Sequence, residues 1–351
     1  MRQNLLAMIL PRPPSLTLSS HFLVAALRGL GEQQGPAAAR QALEAAGIPP
    51  HLLEQPAARI TREQFVLLYK AVAAALDDEM LGLWSRPIRG GTLKYLMLSL
   101  LNAPSLQIAL NRFVRFWNLI LDDYRLQMSR RQNEAVRLAL VPRQQGVCVR
   151  PLGHELMMKL VHGVASWLLG RQIAQVRVEF VFPRPGHASD YVFLYPGEVC
   201  FDAAETCIYL PDGDCQAAFQ RERHQLWTFL KRAPEDWVFT TLQRSSAAAR
   251  TQACLERALD QALTVREVAA ALNMSVRTLN RKLASERTSF QALKDAVRRD
   301  VAVQRLSQSG APIATVAADL GFANAAVFCR AFRQWTGSTP SAYRRGARRR
   351  A

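Results

Sequence analysis

Arg277, Asn280 and Arg281 stand three and four positions apart, a spacing that gathers them on one side of a helix, opposite Val276, Leu279 and Leu283. Arginine and asparagine bond bidentately to guanine and adenine edges in the DNA major groove, so this face has the chemistry of base reading. Ser275, Thr278 and Lys282 belong to the same segment and add hydroxyl and ammonium donors. Asn324–Trp335 repeats the design. Phe328, Phe332 and Trp335 form its apolar side, and Ala326, Cys329, Arg330 and Arg333 point the other way, with Asn324 and Ala325 at the head. The second face is less polar, so it is expected to work through Arg330 and apolar contact with thymine methyls. Arg281 and Arg330 are assigned to the groove, and Lys282, Arg287 and Arg298 to phosphate. Phosphate contact or plain solvation is the alternative for each arginine, because half to two-thirds of protein–DNA hydrogen bonds go to the backbone.

Such faces need helices held at fixed angles, and an internal repeat supplies them. Val265–Leu272 superposes on Ile313–Leu320 with an offset of 48, pairing Val268 with Val316 and Leu272 with Leu320. Past the turn the offset becomes 49, pairing Leu279 with Phe328 and Leu283 with Phe332. Each copy reads as helix, tight turn, helix. Thr264 and Glu267 form a capping box, Ser275 can cap the next helix, and Pro312 suits a first turn. Gly310 is expected to end the joining helix, and Gly321 to supply the left-handed residue of the second turn. Ala269 and Ala317 are small where two helices would cross. The units are placed at 264–284 and 312–335, with a joining helix at 289–308. Its core, Phe290 to Ser307, would span ~27 Å at ~1.5 Å per residue. Successive major-groove segments lie ~34 Å apart, so one chain could occupy two of them.

The charge fits that partner. Of a net +17, residues 251–351 carry 17 Lys/Arg against 7 Asp/Glu, a net of +10. Concentrated cations point to duplex phosphate. The apolar run Leu5–Leu10 is ended by Pro11, Pro13 and Pro14 without a cleavage site, and no stretch reaches the ~20 apolar residues of a membrane span. A cytoplasmic, nucleoid-associated protein with reduced thiols and no membrane partner is expected. Cys148, Cys200, Cys207, Cys215, Cys254 and Cys329 form no close CxxC pair. No GxSxG, P-loop, dinucleotide fingerprint or HExxH motif occurs, so neither an enzyme nor a cofactor site is expected.

The first 230 residues read as α+β. Helices are expected at His21–Leu30 (closed by Gly31), Arg40–Ala46, from the Thr61 cap to Leu76, and at Ser105–Leu121. Arg125–Ser129 and Ala135–Val141 alternate like paired strands, Pro151–Leu169 is helical, and Val176–Phe182 alternates again. Tyr191–Leu210 mixes short strands with turns, and Gln216–Leu230 closes the region as a helix. Arg232–Arg250 reads as the connection to an all-α tail. Trp84, Phe113, Phe116, Trp117 and Trp167 are candidates for an apolar pocket, with plain core as the commoner fate. His154 and His162 lie eight apart on one helix, ~80° round, which is poor for a shared metal. Cys200, Cys207 and Cys215 could sense redox state, although their spacing matches no common metal motif.

Residues 251–345 resemble the DNA-binding domain of the AraC/XylS family of bacterial transcription regulators. The carriers are "LTVREVAAALNMSVRTLNRKL" and "IATVAADLGFANAAVFCRAFRQWTGSTPSAYRR", above all Leu320-Gly321-Phe322, Phe328, Arg330, Phe332, Thr336-Gly337, Pro340 and Tyr343-Arg344. The family often has a polar residue, commonly serine, where Ala325 or Ala326 stands here. The N-terminal region resembles the long sensor of the so-called arabinose-binding type, through "GGTLKYLMLSLLNAPSLQIALNRFVRF", Pro183–Tyr191, "GEVCFDAAETCIYLP" and Phe229-Leu230. The resemblance implies a sensor at 1–232, a linker at 233–250 and a DNA-binding domain at 251–351. It also implies an activator with an unidentified small-molecule effector, contact with RNA polymerase and a homodimer. Two other functions compete: a constitutive DNA-binding protein whose front domain only dimerises, and a repair enzyme with a sacrificial cysteine.

Overall fold

A helix whose apolar residues run around most of its circumference has to be surrounded by protein, and Pro151–Leu169 is one, with 16 of its 19 residues buried. In the computed structural model it forms the axis of one of two compact units, 18–243, the other being 244–345. The structure describes residues 17–348 apart from 55–57, 131–134, 148–149, 175, 220, 241–246, 259–262, 286–287 and 309. Arg287 and Cys148 therefore lie outside the described residues.

Strands β1 (Thr17–Ser19) and β2 (Arg59–Thr61) form a small ladder beside α1 (His21–Gln34), α2 (Pro36–Ala45) and α3 (Arg62–Leu76). Helices α4 (Thr92–Leu100) and α5 (Leu106–Ile120) follow, then β3 (Tyr124–Arg130), β4 (Val136–Pro142), the axial α6 (Pro151–Leu169) and β5 (Val176–Glu179). The unit closes through α7 (Tyr191–Leu194), β6 (Gly197–Cys200), β7 (Thr206–Leu210), α8 (Asp212–Gln216), α9 (Arg223–Arg232) and α10 (Glu235–Val238). Five strands make one sheet in the order β3-β4-β7-β5-β6, antiparallel except for β5 and β6. Local chemistry sets the boundaries. The Thr61 hydroxyl accepts from the Gln64 amide at 3.1 Å while the Gln64 side chain accepts from the Thr61 amide at 3.0 Å, closing a capping box on α3. Leu126 faces Leu140 across the β3–β4 pair, so the apolar faces of the expected strands coincide.

Several expectations change. Helix α1 runs through Gly31 to Gln34. It ends at Gly35, whose φ of 85° turns the chain away and whose amide donates to the Gly31 carbonyl at 3.0 Å. Strand β5 stops at Glu179, and Tyr191–Leu194 is a helical turn. The expected helix 216–230 is two pieces, because Glu222 starts α9 afresh as its N-cap, boxed with Gln225. Residues 233–239, expected within the connection, belong to the core: Trp237, Val238 and Phe239 are buried and α10 packs on α6. The contact is close. A Cβ on Gly163 would stand 2.4 Å from the Trp237 carbonyl oxygen, so only glycine admits α10 there.

Helix α6 also buries ionisable groups, each with a partner. His154 Nδ1 meets Thr206 Oγ1 at 2.7 Å, and the Glu155 carboxyl accepts from the Tyr191 hydroxyl. Lys159 Nζ donates to the Leu194 carbonyl at 2.5 Å and to Thr240 Oγ1 at 3.0 Å, and His162 Nε2 meets the Ile173 carbonyl at 2.9 Å. Burial pushes Glu155 up to about 7 and brings Lys159 down to about 7 and His154 to about 4. The two histidines thus hold the fold together through hydrogen bonds of their own.

The second unit is built of helices: α11 (Ala247–Arg257), α12 (Val265–Ala271), α13 (Val276–Ser285), α14 (Phe290–Gln308), α15 (Ile313–Asp319) and α16 (Ala325–Thr336), with a terminal α17 (Pro340–Arg348). Ala247 and Leu255 of α11 are part of its first core, so a segment expected to begin in the linker is domain interior.

Candidate nucleic-acid interface

The two copies fold alike down to single hydrogen bonds. Val268, Ala269 and Leu272 are buried in α12 and its cap, and Val316, Ala317 and Leu320 in the same places of α15 and its cap. Both helices end in the same motif. Met274 and Phe322 donate to the carbonyls of Ala269 and Ala317, at 2.9 and 3.0 Å. Asn273 and Gly321 donate to Ala270 and Ala318, at 3.0 and 2.9 Å. That pair of bonds is a Schellman motif, which needs a left-handed residue between them. Gly321 has φ 69° as expected, and Asn273 has φ 55°, a role its sequence position alone did not assign.

The second helices start alike too. The Ser275 hydroxyl accepts from the Thr278 amide at 3.1 Å, and the Asn324 side chain accepts from the Val327 amide at 2.9 Å. Ser275 also donates to Thr278 Oγ1 at 2.9 Å. Both candidate residues are therefore N-caps, with part of their hydrogen-bonding capacity used on the backbone. Thr264 and Glu267 form the expected box on α12, with bonds of 2.7 and 3.3 Å. Hydrogen bonding to Thr264 holds Glu267 below the usual carboxylate range.

On α13, Leu279 and Leu283 are buried while Arg277, Asn280, Arg281 and Lys282 are exposed and Thr278 is half-buried. On α16, Phe328 and Phe332 are buried, Ala326, Arg330 and Arg333 exposed, and Ala325 and Cys329 half-buried. Ser275 and Asn324 are exposed at the heads of these helices. The structure thus gathers the candidates into two outward faces, one per copy. Between them, α14 runs 19 residues, ~28 Å at ~1.5 Å per residue. Its Leu293 and Val297 enter the first core, and it also packs on α15 and α16. Tyr343 of α17 closes the second core, its ring 5.6 Å from that of Phe332.

Arg298, expected on phosphate, is engaged by the protein. It is half-buried, its guanidinium lies 4.9 Å over the Phe322 ring, and Nη2 donates to the Gly321 carbonyl at 3.4 Å. It ties α14 to the second turn. An Arg305–Asp319 ion pair makes a second link from α14 to α15.

Both parts of the chain resemble known proteins. Residues 37–219 match the family model described as the arabinose-binding domain of AraC transcription regulators, and residues 268–346 match a helix-turn-helix domain. The chain is 27% identical to an ornithine utilization regulator of Pseudomonas aeruginosa over 320 residues, 87% of this chain and 90% of that one. It is 43% identical over 82 residues to an uncharacterized HTH-type transcriptional regulator of Mycobacterium bovis, 23% of this chain and 24% of the relative. Among solved structures, the DNA-binding domain of AdpA in complex with a target DNA is 30% identical over 30% of this chain and 96% of that one, with a TM-score of 0.28. Among the described residues, no helix is long and apolar enough to cross a membrane. With one family model spanning more than half of its length and two helix-turn-helix units at its end, the chain belongs to the AraC-type transcription regulators, DNA-binding proteins with an N-terminal ligand-binding domain.

Proposed function

We propose that the chain is a transcription activator whose N-terminal unit binds a small effector and whose C-terminal unit occupies two adjacent major-groove segments of one duplex. The observation that carries this is the pair of matched, exposed, cationic faces on α13 and α16, held by one joining helix. In this reading Arg281 and Arg330 enter the groove, with Arg277, Thr278, Asn280, Ala325, Ala326 and Cys329 against neighbouring base edges and methyls. Lys282 and Arg333 hold phosphate, and Ser275 and Asn324 present helix N-termini to the backbone. Contact with RNA polymerase and a dimer of the full chain belong to the same proposal, on family resemblance.

The test is selection of bound duplexes from a random pool with full-length protein. Two conserved blocks about 10 base pairs apart are expected. Arg281→Ala should relax one block and Arg330→Ala the other, each weakening the selected site by ~1–3 kcal/mol. Equal loss on selected and random DNA would remove both arginines from the groove.

A further inference from the structure

The repeat does not begin at the capping threonine. Carried back by the same offset of 48, it lays α11 along the middle of α14 and pairs Arg250 with Arg298 and Leu255 with Val303. Leu255 and Val303 are both buried, so the two helices turn matching apolar sides inward. The paired arginines act alike. Arg250 Nη2 donates to the Leu272 carbonyl at 3.2 Å, and Arg298 Nη2 to the Gly321 carbonyl at 3.4 Å. Leu272 is the cap that ends α12, and Gly321 directly follows the cap of α15. Both carbonyls thus lie where a helix runs out and its carbonyl groups lose their donors from within. Four residues after each of them the second helix begins, at Val276 and at Ala325.

A guanidinium suits this place because it donates in its plane while its face rests on a neighbour. In the second copy that neighbour is Phe322, whose ring centre is 4.9 Å away. Phe322 in turn packs on α16, its ring centre 5.5 Å from that of Phe328 and 5.9 Å from that of Trp335. Contact therefore runs from α14 through the turn into α16. In the first copy Met274 stands where Phe322 does, with the same amide bond to the first helix. It packs against the core that holds Leu279 and Leu283 of α13. Arg250 and Arg298 are both half-buried, whereas Arg277, Arg281 and Arg330 are exposed.

We infer that Arg250 and Arg298 are a duplicated pair of positioning residues, each setting the angle at which the second helix of its own unit meets the groove, α13 for Arg250 and α16 for Arg298. Each acts through a turn carbonyl. A shift of the turn displaces every side chain on the helix that follows, so losing one arginine degrades one whole block of the site and spares the other. Phosphate contact, the sequence-based expectation for Arg298, makes the opposite prediction, an equal weakening on every duplex. The inference rests on the two-groove function proposed above and names the residues that orient each half of it.

Full-length natural chain, Arg250→Met and Arg298→Met are titrated with the duplex selected from the random pool, with that duplex after scrambling either block, and with random sequence. Arg281→Ala and Arg330→Ala identify which block belongs to which unit. Arg298→Met should bind the selected duplex about 10-fold more weakly, the worth of one well-placed base contact. Scrambling the second block should then cost about 10-fold less than it does in the natural chain, and scrambling the first should cost the same. Arg250→Met should show the mirror image. Random duplex should bind all three proteins alike. The untouched block reports folding in each variant, since a general loss of stability would not spare it. Should a methionine variant lose both blocks, Arg250→Lys or Arg298→Lys takes its place, keeping charge and stem without the fork, and the same one-sided loss is expected. Equal weakening of selected and random duplexes would put the arginine on phosphate. Full recovery of both blocks by lysine would make charge alone sufficient, and undiminished discrimination at its own block would leave the arginine without a part in reading. Each of these overturns the assignment while the two blocks of the natural chain stand. A natural chain that selects no paired blocks overturns the two-groove reading, and this inference with it.

Discussion

Lys159 shows what a single residue contributes when its helix leaves it no route to solvent. It is held by the Leu194 carbonyl and Thr240 Oγ1, with its pKa lowered by burial to about 7 from 10.5. Between those values the unfolded chain keeps a proton that the folded chain has released, so stability rises with pH. Below about 7 both states are protonated and the contribution is lost. Calorimetric melting at steps from pH 7 to 10 should show that the rise in Tm is smaller in Lys159→Met than in the natural chain. Parallel profiles would mean that Lys159 does not titrate in this range. Glu155 acts in the opposite sense at lower pH: its carboxyl is raised to about 7 from 4.5, so it withdraws stability as pH climbs through that window. Neither group was singled out in the sequence, because a lysine at one position of a helix gives no sign of which elements will cover it.

At the scale of the element, the turn between the helices of each copy decides whether a face exists to present. Gly321 has φ 69° and its carbonyl accepts from Arg298, so the turn carries both a left-handed backbone that glycine adopts freely and the tie to α14. A β-branched side chain resists positive φ, at about 1–3 kcal/mol. Gly321→Val should therefore lower the melting temperature and abolish binding to the selected duplex. Gly321→Asn should cost less, since Asn273 already adopts φ 55° at the matching place in the first copy. Equal melting curves for the natural chain and Gly321→Val would contradict the turn. This element was legible in advance because its signals are local: a cap, a period of 3.6, a glycine. The boundaries that moved were those set by distant contacts. Residues 233–239 are core because Gly163 lets Trp237 approach.

For the whole molecule, the charge of +17 with +10 in the last 101 residues sets how binding responds to salt. The logarithm of the duplex affinity should fall linearly with that of the salt concentration, by about 0.9 for each phosphate neutralised. Lys282→Ala should shallow the slope by about 0.9 and weaken selected and random duplexes alike. An unchanged slope would take Lys282 off the backbone. The sequence by itself determined the duplicated helical pairs, their apolar and cationic sides, the capping residues and the order of an α+β unit before an all-α one. Each of these depends on residues a few positions apart. Only the tertiary structure decided that Arg298 lies over the Phe322 ring, and that Trp237, from a segment that reads as linker, packs against Gly163 of α6. Those outcomes depend on contacts between elements tens of residues apart, and a side chain's neighbours across such distances are fixed by packing, not by period.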